Sequence, residues 1–121
     1  MNTKIIAVAL IMAFGVACSG VSPGGYYWGS YSYTYHSMLK EPSSETADAH
    51  ESSLRDIIAK SAEKNLRVPP GVHAELGNLL AKKDMPQEAI AEYEAEQALY
   101  PESGIFLQKL LSGQKAGSKA K

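Results

Sequence analysis

The chain has 121 residues, of which 45% are hydrophobic, and its 12 basic and 13 acidic side chains give a net charge of −1. This length leaves room for about one domain, which excludes a two-domain enzyme, and the charge excludes a nucleic-acid-binding protein that depends on a large positive charge. The single cysteine excludes an intrachain disulfide and a cysteine-based zinc cluster.

The N-terminus has the pattern of a secretory signal peptide. Lys4 precedes residues 5–17, in which 12 of 13 residues are hydrophobic, and Cys18 follows directly. A membrane-spanning helix needs about 20 apolar residues, so this run is too short to be one. A positive start, a short apolar stretch and small residues at the exit predict that residues 1–17 are removed. The mature chain then has 11 basic and 13 acidic residues and a net charge of −2.

The predicted cleavage site also resembles a bacterial lipobox. Residues 15–18 read Gly-Val-Ala-Cys, with glycine where a leucine is usual. This resemblance implies that Cys18 is lipidated and anchors a soluble domain to a bilayer. Ser19 stands where an aspartate would resemble an inner-membrane retention signal, which implies the periplasmic face of the outer membrane. The alternative is a free thiol in a secreted protein.

The next segments are a short tether and an aromatic stretch. Residues 18–27 begin with small residues and are predicted to be a flexible tether. Residues 26–35 hold six of the ten aromatic residues, and three tyrosines among them alternate with small polar residues, which is typical of a strand. Large side chains also recur at three- and four-residue steps, which is typical of a helix: Trp28, Tyr31, Tyr35 and Leu39. Because no second strand is predicted, we predict a helix over residues 28–40.

Tyrosine and tryptophan are common in protein interfaces, and they also stack on sugar rings. We expect Trp28 and Tyr35 to pack in the core. We expect Tyr26, Tyr27 and Tyr33 to be exposed for contact with a partner.

Four further helices are predicted, which makes the chain all-α with about five helices. They cover residues 44–65, with Ser44 as a possible N-cap, and residues 71–83, 86–99 and 103–111. In the first of them, one stripe is expected to be buried: Leu54, Ile57, Ile58, Ser61 and Ala62. The folded domain is predicted to be residues 28–111. Residues 112–121 contain lysine, glycine, serine and alanine, and are predicted to be a disordered tail.

The third and fourth predicted helices resemble a tetratricopeptide repeat. The residues that match it are His73, Leu76, Gly77, Leu80, Ala89, Tyr93 and Pro101. Small residues let the two helices approach, and Pro101 ends the second one. His73 and Leu80 replace aromatic residues of the repeat, and Glu96 replaces a usual alanine, so a generic helical hairpin is the alternative. About two and a half such units are short of a self-sufficient array, which indicates a partner or self-association.

No residue pattern predicts catalysis, a metal site or a cofactor. The three histidines are spread over separate segments, without metal-binding spacing. His50 is followed by Ser52 and Ser53, but residues so close on one helix cannot form a catalytic triad, and we expect them to be solvated.

Three glutamates recur every four residues in the fourth predicted helix: Glu88, Glu92 and Glu96. They predict either a solvated face or an acidic strip that binds a basic partner.

Residues 18–111 as a whole resemble a family of small Gram-negative lipoproteins that carry a domain of unknown function. The resemblance is carried by Tyr-Tyr-Trp-Gly-x-Tyr at 26–31, by residues 35–42, by Val-Pro-Pro-Gly-Val-His-Ala-Glu-Leu-Gly at 68–77 and by the repeat through Pro101. It implies export and genes beside those of two other lipoproteins, one related to the curli secretion channel. It implies no activity.

Together these patterns predict a non-enzymatic, lipid-anchored interaction module at the periplasmic face of the outer membrane. Its expected partners are other envelope lipoproteins or a second copy of the chain, and no nucleic acid. The alternative is an envelope protein that binds peptidoglycan or another glycan through the aromatic stretch.

Overall fold

The computed structural model describes residues 25–120 and confirms the predicted all-α fold with five helices. The helices are α1 (Tyr31–Lys40), α2 (Ser44–Glu63), α3 (Val72–Lys82), α4 (Pro86–Leu99) and α5 (Gly104–Lys119), with a 3-10 turn at Pro101–Ser103. Residues 25–120 contain no strand. Each helix packs mainly against its neighbours in the chain, so α1 and α5 lie at opposite ends of the array.

The aromatic stretch forms a helix, although it begins three residues later than predicted. Gly29 takes a left-handed φ of 47° in the turn before α1, a conformation that glycine adopts without a Cβ penalty. The helical period then turns Thr34 toward α2 and buries it. Tyr33, one residue earlier, remains 77% exposed. The helical spacing of three to four residues therefore predicted this segment correctly, and the alternation of tyrosines, which is typical of a strand, did not.

A reciprocal cap begins α2. The Ser43 hydroxyl accepts from the Thr46 N–H, and the Thr46 hydroxyl accepts from the Ser43 N–H, both at 3.1 Å. The predicted N-cap, Ser44, was one residue too late, because the side chain that reaches the first turn belongs to Ser43. Three members of the predicted stripe are fully buried: Leu54, Ile57 and Ser61. Ile58 is half-buried and Ala62 is exposed.

Helices α3 and α4 form the tightest contact in the fold. Gly77 lies against the ring of Tyr93, and a Cβ at residue 77 would stand 2.6 Å from Tyr93 Cε1. The Tyr93 hydroxyl donates to Asn78 Oδ1 at 2.7 Å, and Ala89 is fully buried beside it. The predicted hairpin is confirmed, and its small residues lie where the two helices meet.

The core is apolar and is centred on this hairpin. Its buried members are Leu54, Ile57, Val72, Leu76, Leu79, Leu80, Ala89, Tyr93, Leu107 and Leu111. They come from α2 to α5, so every helix except α1 contributes a buried aliphatic or aromatic side chain.

The last helix corrects the predicted tail. α5 continues to Lys119, so residues 112–119 are helical rather than disordered. The burial pattern of Leu107 and Leu111 continues through Gln114 and Ser118, which are half-buried at helical spacing. Gln87 on α4 donates to the Ser118 hydroxyl at 3.1 Å. Polar side chains hold this part of α5 against α4. A pattern of apolar residues does not reveal such a contact.

Candidate functional site

A row of four aromatic rings crosses the N-terminal end of the array. We call Tyr26, Trp28, Tyr31 and Tyr35 the aromatic ladder. Successive ring centroids are 6.4, 5.2 and 5.6 Å apart, with the first two pairs edge to face and the last pair stacked. Tyr26, Trp28 and Tyr35 are 43%, 42% and 37% exposed and Tyr31 is half-buried, so the ladder presents three exposed rings to solvent. Such contacts stabilise ring pairs by about 0.5–1.5 kcal/mol each.

A buried polar network lies beneath the ladder. The Tyr31 hydroxyl donates to Glu75 Oε2 at 2.7 Å, and His50 Nε2 lies 2.9 Å from Glu75 Oε1. The other ring nitrogen of His50, Nδ1, lies 2.8 Å from Thr34 Oγ1. In neutral His50, an Nε2–H that donates to the carboxylate leaves Nδ1 to accept from Thr34. The network thereby joins α1, α2 and α3 through side chains alone.

Burial fixes this network in place. His50 is fully buried, and Tyr31 and Tyr35 lie against its ring at centroid distances of 5.2 and 5.5 Å. Burial, and then the hydrogen bond to Glu75, raise the pKa of the Tyr31 phenol, so Tyr31 remains a donor. His50 therefore acts as the platform on which the inner rings of the ladder rest. The expectation that His50 and Ser53 are solvated was wrong, because both are buried, with Ser53 3.0 Å from the Ser30 hydroxyl.

The sequence of hydroxyl, imidazole and carboxylate in Thr34, His50 and Glu75 has the connectivity of a catalytic triad. A triad also needs a reactive hydroxyl open to substrate and N–H donors beside it. Thr34 is only 9% exposed, and its own N–H is used in the helix bond to the Ser30 carbonyl at 3.1 Å. The geometry fits a structural joint better than a nucleophile.

The structure places the predicted contact residues in three different environments. Tyr26 is exposed, as expected, and lies in the ladder. Tyr27 packs against the core, and its hydroxyl donates to Asp56 at 3.3 Å. Tyr33 is exposed on the opposite face of α1. Trp28 and Tyr35 were expected in the core, but at 42% and 37% exposed they belong to the surface, because the small side chains Thr34 and Ser30 take the positions that face α2.

The predicted acidic strip on α4 is not continuous. Glu88 is exposed, but Glu92 lies 2.6 Å from the Nδ1 atom of His73, which is itself buried. Glu96 is 2% exposed and accepts from the Gly71 N–H at 2.7 Å, so it caps the first turn of α3. A carboxylate is favourable there because the free N–H groups of a helix start carry partial positive charge. Neither Glu92 nor Glu96 forms part of an acidic binding face.

A shallow groove of about 560 Å³ lies where α1 meets α2. Tyr33, Pro42 and Ala49 supply its apolar wall. Glu41 and Glu45 supply its charge, and no basic side chain lines it. It lies on the face of α1 that carries Tyr33, and so apart from the ladder.

Sequence reasoning missed the buried network, although one signal was present. His50 lies four residues before Leu54, in phase with the buried stripe of α2. Glu75 likewise lies between Val72 and Leu76 on the most apolar helix. Polar residues in phase with a buried stripe are candidates for a buried network, but their partners lie on other helices and cannot be read from one segment.

The described residues contain neither a metal-binding group of side chains nor a membrane-spanning helix. Within residues 25–120, no three histidine, cysteine, aspartate or glutamate side chains are grouped so that they could hold a metal ion. Among the same residues, no helix is long and apolar enough to cross a membrane. Cys18, residues 1–17 and most of the predicted tether lie outside the described residues.

Comparison with known proteins identifies the family. No curated protein and no solved structure matches the chain. The model of one family, described as a domain of unknown function (DUF4810), matches residues 26–110, from the first rung of the aromatic ladder to the first half of α5. Because this match spans more than two thirds of the sequence, the chain belongs to the DUF4810 family.

Proposed function

We propose that this protein is a non-enzymatic interaction module, anchored through a lipid on Cys18 at the periplasmic face of the outer membrane. Its aromatic ladder binds another envelope lipoprotein, such as the curli-secretion-channel-like neighbour that the lipoprotein resemblance implies. The observation that carries the proposal is the ladder itself: exposed tyrosine and tryptophan rings supported from below by a buried network.

The support under the ladder favours a binding role. Association costs about 0.5–1.5 kcal/mol for each flexible side chain that becomes ordered. Tyr31 is already held by Glu75, and its ring holds Trp28 and Tyr35 in contact. Rings that are ordered before binding avoid most of this cost. Tryptophan and tyrosine are also the residues that most often dominate the energy of an interface.

The angles between neighbouring rings of the ladder favour a protein partner over a glycan. Tyr26 and Trp28 meet at 77° and Trp28 and Tyr31 at 66°, so neighbouring rings stand edge to face. Sugar rings stack best on a flat, open ring face. The edges and recesses of the ladder instead fit the side chains of another protein. Binding to the sacculus nevertheless remains the measurable alternative.

The decisive experiment is recovery of partners by the full-length protein from detergent-solubilised outer membrane. Tyr26→Ala with Trp28→Ala should reduce recovery of a bound lipoprotein at least about tenfold, because interface aromatics contribute about 2 kcal/mol or more each. Leu39→Ala, which removes an exposed apolar side chain outside the ladder, is the matched control and should keep wild-type recovery. Equal recovery by the double variant and the wild type would contradict the proposal.

Two further measurements separate the parts of the proposal. Co-sedimentation with purified sacculi that is lost in the ladder variant would indicate a glycan-binding protein instead. Palmitate labelling of the wild type, and its loss in Cys18→Ser, tests the anchor. A soluble, unlabelled wild-type product would exclude lipid anchoring without bearing on the ladder.

A further inference from the structure

The outer face of α5 combines exposed apolar side chains with positive charge. Ile105 is 82% exposed and Phe106 58%, while Leu107 faces the core. Lys109 is exposed one helical turn after both. The helix carries three lysines and no acidic residue between Gly104 and Lys119. Large exposed apolar side chains beside charges of one sign are typical of an interaction surface.

The groove between α1 and α2 has the complementary character. Its lining carries Glu41 and Glu45 without a basic side chain, and Tyr33 and Pro42 give it apolar walls. Both glutamates are exposed. An apolar insert flanked by a lysine would find both an apolar contact and a charge partner there.

These two surfaces lie at opposite ends of the same array. Packing runs from α1 through α2, α3 and α4 to α5, so the groove and α5 belong to opposite ends of the array. Neither surface can reach the other within one chain. Two copies placed end to end would bring them together and continue the stacking of helices. Short helical arrays commonly need such additional layers for stability.

We propose that the outer face of α5 in one copy docks into the α1–α2 groove of a second copy. Ile105 and Phe106 enter the groove, and Lys109 approaches Glu41 and Glu45. The two patches are different, so the contact is heterologous: it propagates into a chain of copies or closes into a ring rather than stopping at a symmetric dimer. This inference goes beyond the proposed function because it uses neither the aromatic ladder nor the lipid anchor.

The first test measures assembly of the full-length protein in detergent by sedimentation velocity over a range of concentrations. The wild type should form species larger than a dimer as concentration rises. Phe106→Ser should weaken association about 10- to 100-fold, because burial of a phenylalanine side chain is lost. Leu39→Ser, an exposed apolar change outside the groove, is the matched control. A wild type that stays monomeric at all concentrations would overturn the proposal.

Charge reversal supplies the second test. Lys109→Glu should weaken association up to about tenfold, and adding Glu41→Lys and Glu45→Lys to the same chain should restore it. Lys119→Glu is the matched control, since it reverses the same charge on the same helix about 15 Å further along. Equal weakening by both reversals, or failure of the restoring changes, would contradict the contact between Lys109 and the groove.

Disulfide trapping identifies the geometry directly. One chain carries Gln108→Cys, exposed one helical turn after Ile105, and the other carries Ser37→Cys, which lines the groove. Mixed under oxidising conditions, they should form a disulfide between the two different chains, with the unsubstituted protein measuring the background from Cys18. Cross-linking only between two Gln108→Cys chains would indicate a symmetric pair through α5, and would refute docking into the groove.

Discussion

Two regions of the molecule are held together by different kinds of contact. Between α3 and α4, apolar side chains and a glycine bring the helices into close contact, with Leu76 and Tyr93 almost completely buried. Between α1, α2 and α3, a hydrogen-bond network through the fully buried His50 accompanies the apolar contacts of Leu54 and Ile57. Apolar burial is non-directional, whereas hydrogen bonds fix distance and direction. The end that carries the ladder is therefore the end with the more directional support.

This difference gives the polar end a specific weakness. A buried hydrogen-bond network is stable only while each member keeps its partners, because an unpaired buried group loses water without compensation. The α3–α4 hairpin also contains polar contacts, such as His73 with Glu92, but they join only these two helices. Removal of one polar side chain from the network should thus lower the stability of the region around the ladder more than the size of that side chain suggests.

The largest expected effect follows from Glu75→Ala. The change leaves His50 Nε2 and the Tyr31 hydroxyl without their acceptor. His50 is fully buried and Tyr31 half-buried, and an unsatisfied buried group costs about 1–3 kcal/mol, so we expect a loss of about 3 kcal/mol in the free energy of unfolding, measured by urea denaturation. Fluorescence of Trp28, the only tryptophan, should change because its neighbour Tyr31 loses its anchor.

Glu75→Gln is the control for this change. Its amide oxygen can still accept from His50, and its NH₂ group can donate to Tyr31, so most of the stability should return. If Glu75→Ala and Glu75→Gln lower stability equally, charge rather than hydrogen bonding holds the network. If neither variant lowers the free energy of unfolding by more than about 0.5 kcal/mol, residue 75 behaves like an ordinary surface position, and the network does not stabilise the fold.

The same contrast explains what the sequence could predict. In the hairpin, the information is local: Pro86 begins α4, Pro101 follows its end, and Gly77 and Ala89 mark the close approach. The predicted bounds of α4, 86–99, agree with the structure. At the ladder end, the outcome depended on partners far apart in sequence, since Thr34, His50 and Glu75 come from three helices.

Polar residues produced the remaining errors for the same reason. Glu96 was expected either on a solvated face or in an acidic strip that binds a partner, but the N–H groups that it caps belong to the start of α3. Gln114 and Ser118 continue the buried face of α5 without being apolar, so the helix was predicted to end too early. A period of hydrophobic residues identifies apolar faces only, and the polar half of a contact has to be found in space.

The second expected effect tests the apolar region. Gly77→Ala places a Cβ 2.6 Å from Tyr93 Cε1, closer than packed atoms approach. Overpacking of this kind costs about 1–3 kcal/mol, so a loss of about 2 kcal/mol should remain after the better helix propensity of alanine is included. Thermal unfolding measures it. Gly113→Ala on α5, where no atom lies within 4 Å of the added Cβ, is the matched control and should stabilise the protein slightly.

A smaller effect of opposite sign is expected at Ser61. Its hydroxyl oxygen is fully buried and has no hydrogen-bond partner among the described residues, in contrast to His50 on the same helix. Ser61→Ala removes the unsatisfied group and leaves little cavity, so stability should rise by about 1 kcal/mol. Urea denaturation of Ser61→Ala and of the exposed Ser52→Ala separates this gain from general helix propensity. A loss of stability in Ser61→Ala would mean that the hydroxyl has a partner.

The smallest expected effect concerns the solvent-exposed edge of the α2–α3 contact. There, ion pairs link Lys83, which directly follows α3, to α2. The Lys83 ammonium, and then the Arg55 guanidinium 2.9 Å away, hold the pKa of the Glu51 carboxyl below its ordinary value of 4.5. A carboxyl whose pKa is lower in the folded chain stabilises the fold above the pKa of the unfolded chain, and this contribution is lost as pH falls through the folded value.

The free energy of unfolding should therefore decrease as pH falls below about 4.5, and Glu51→Gln should make that decrease shallower by less than about 1 kcal/mol, the scale of partly exposed ion pairs. The comparison is made by urea titration at several pH values, with the exposed Ser52→Ala as control. Identical pH dependence in Glu51→Gln and the wild type would show that this cluster does not stabilise the contact. The α2–α3 joint would then depend on its buried side chains, which are the apolar Leu54 and Ile57 and the hydrogen-bonded pair His50 and Glu75, and Glu75 would be still more critical for the position of the ladder.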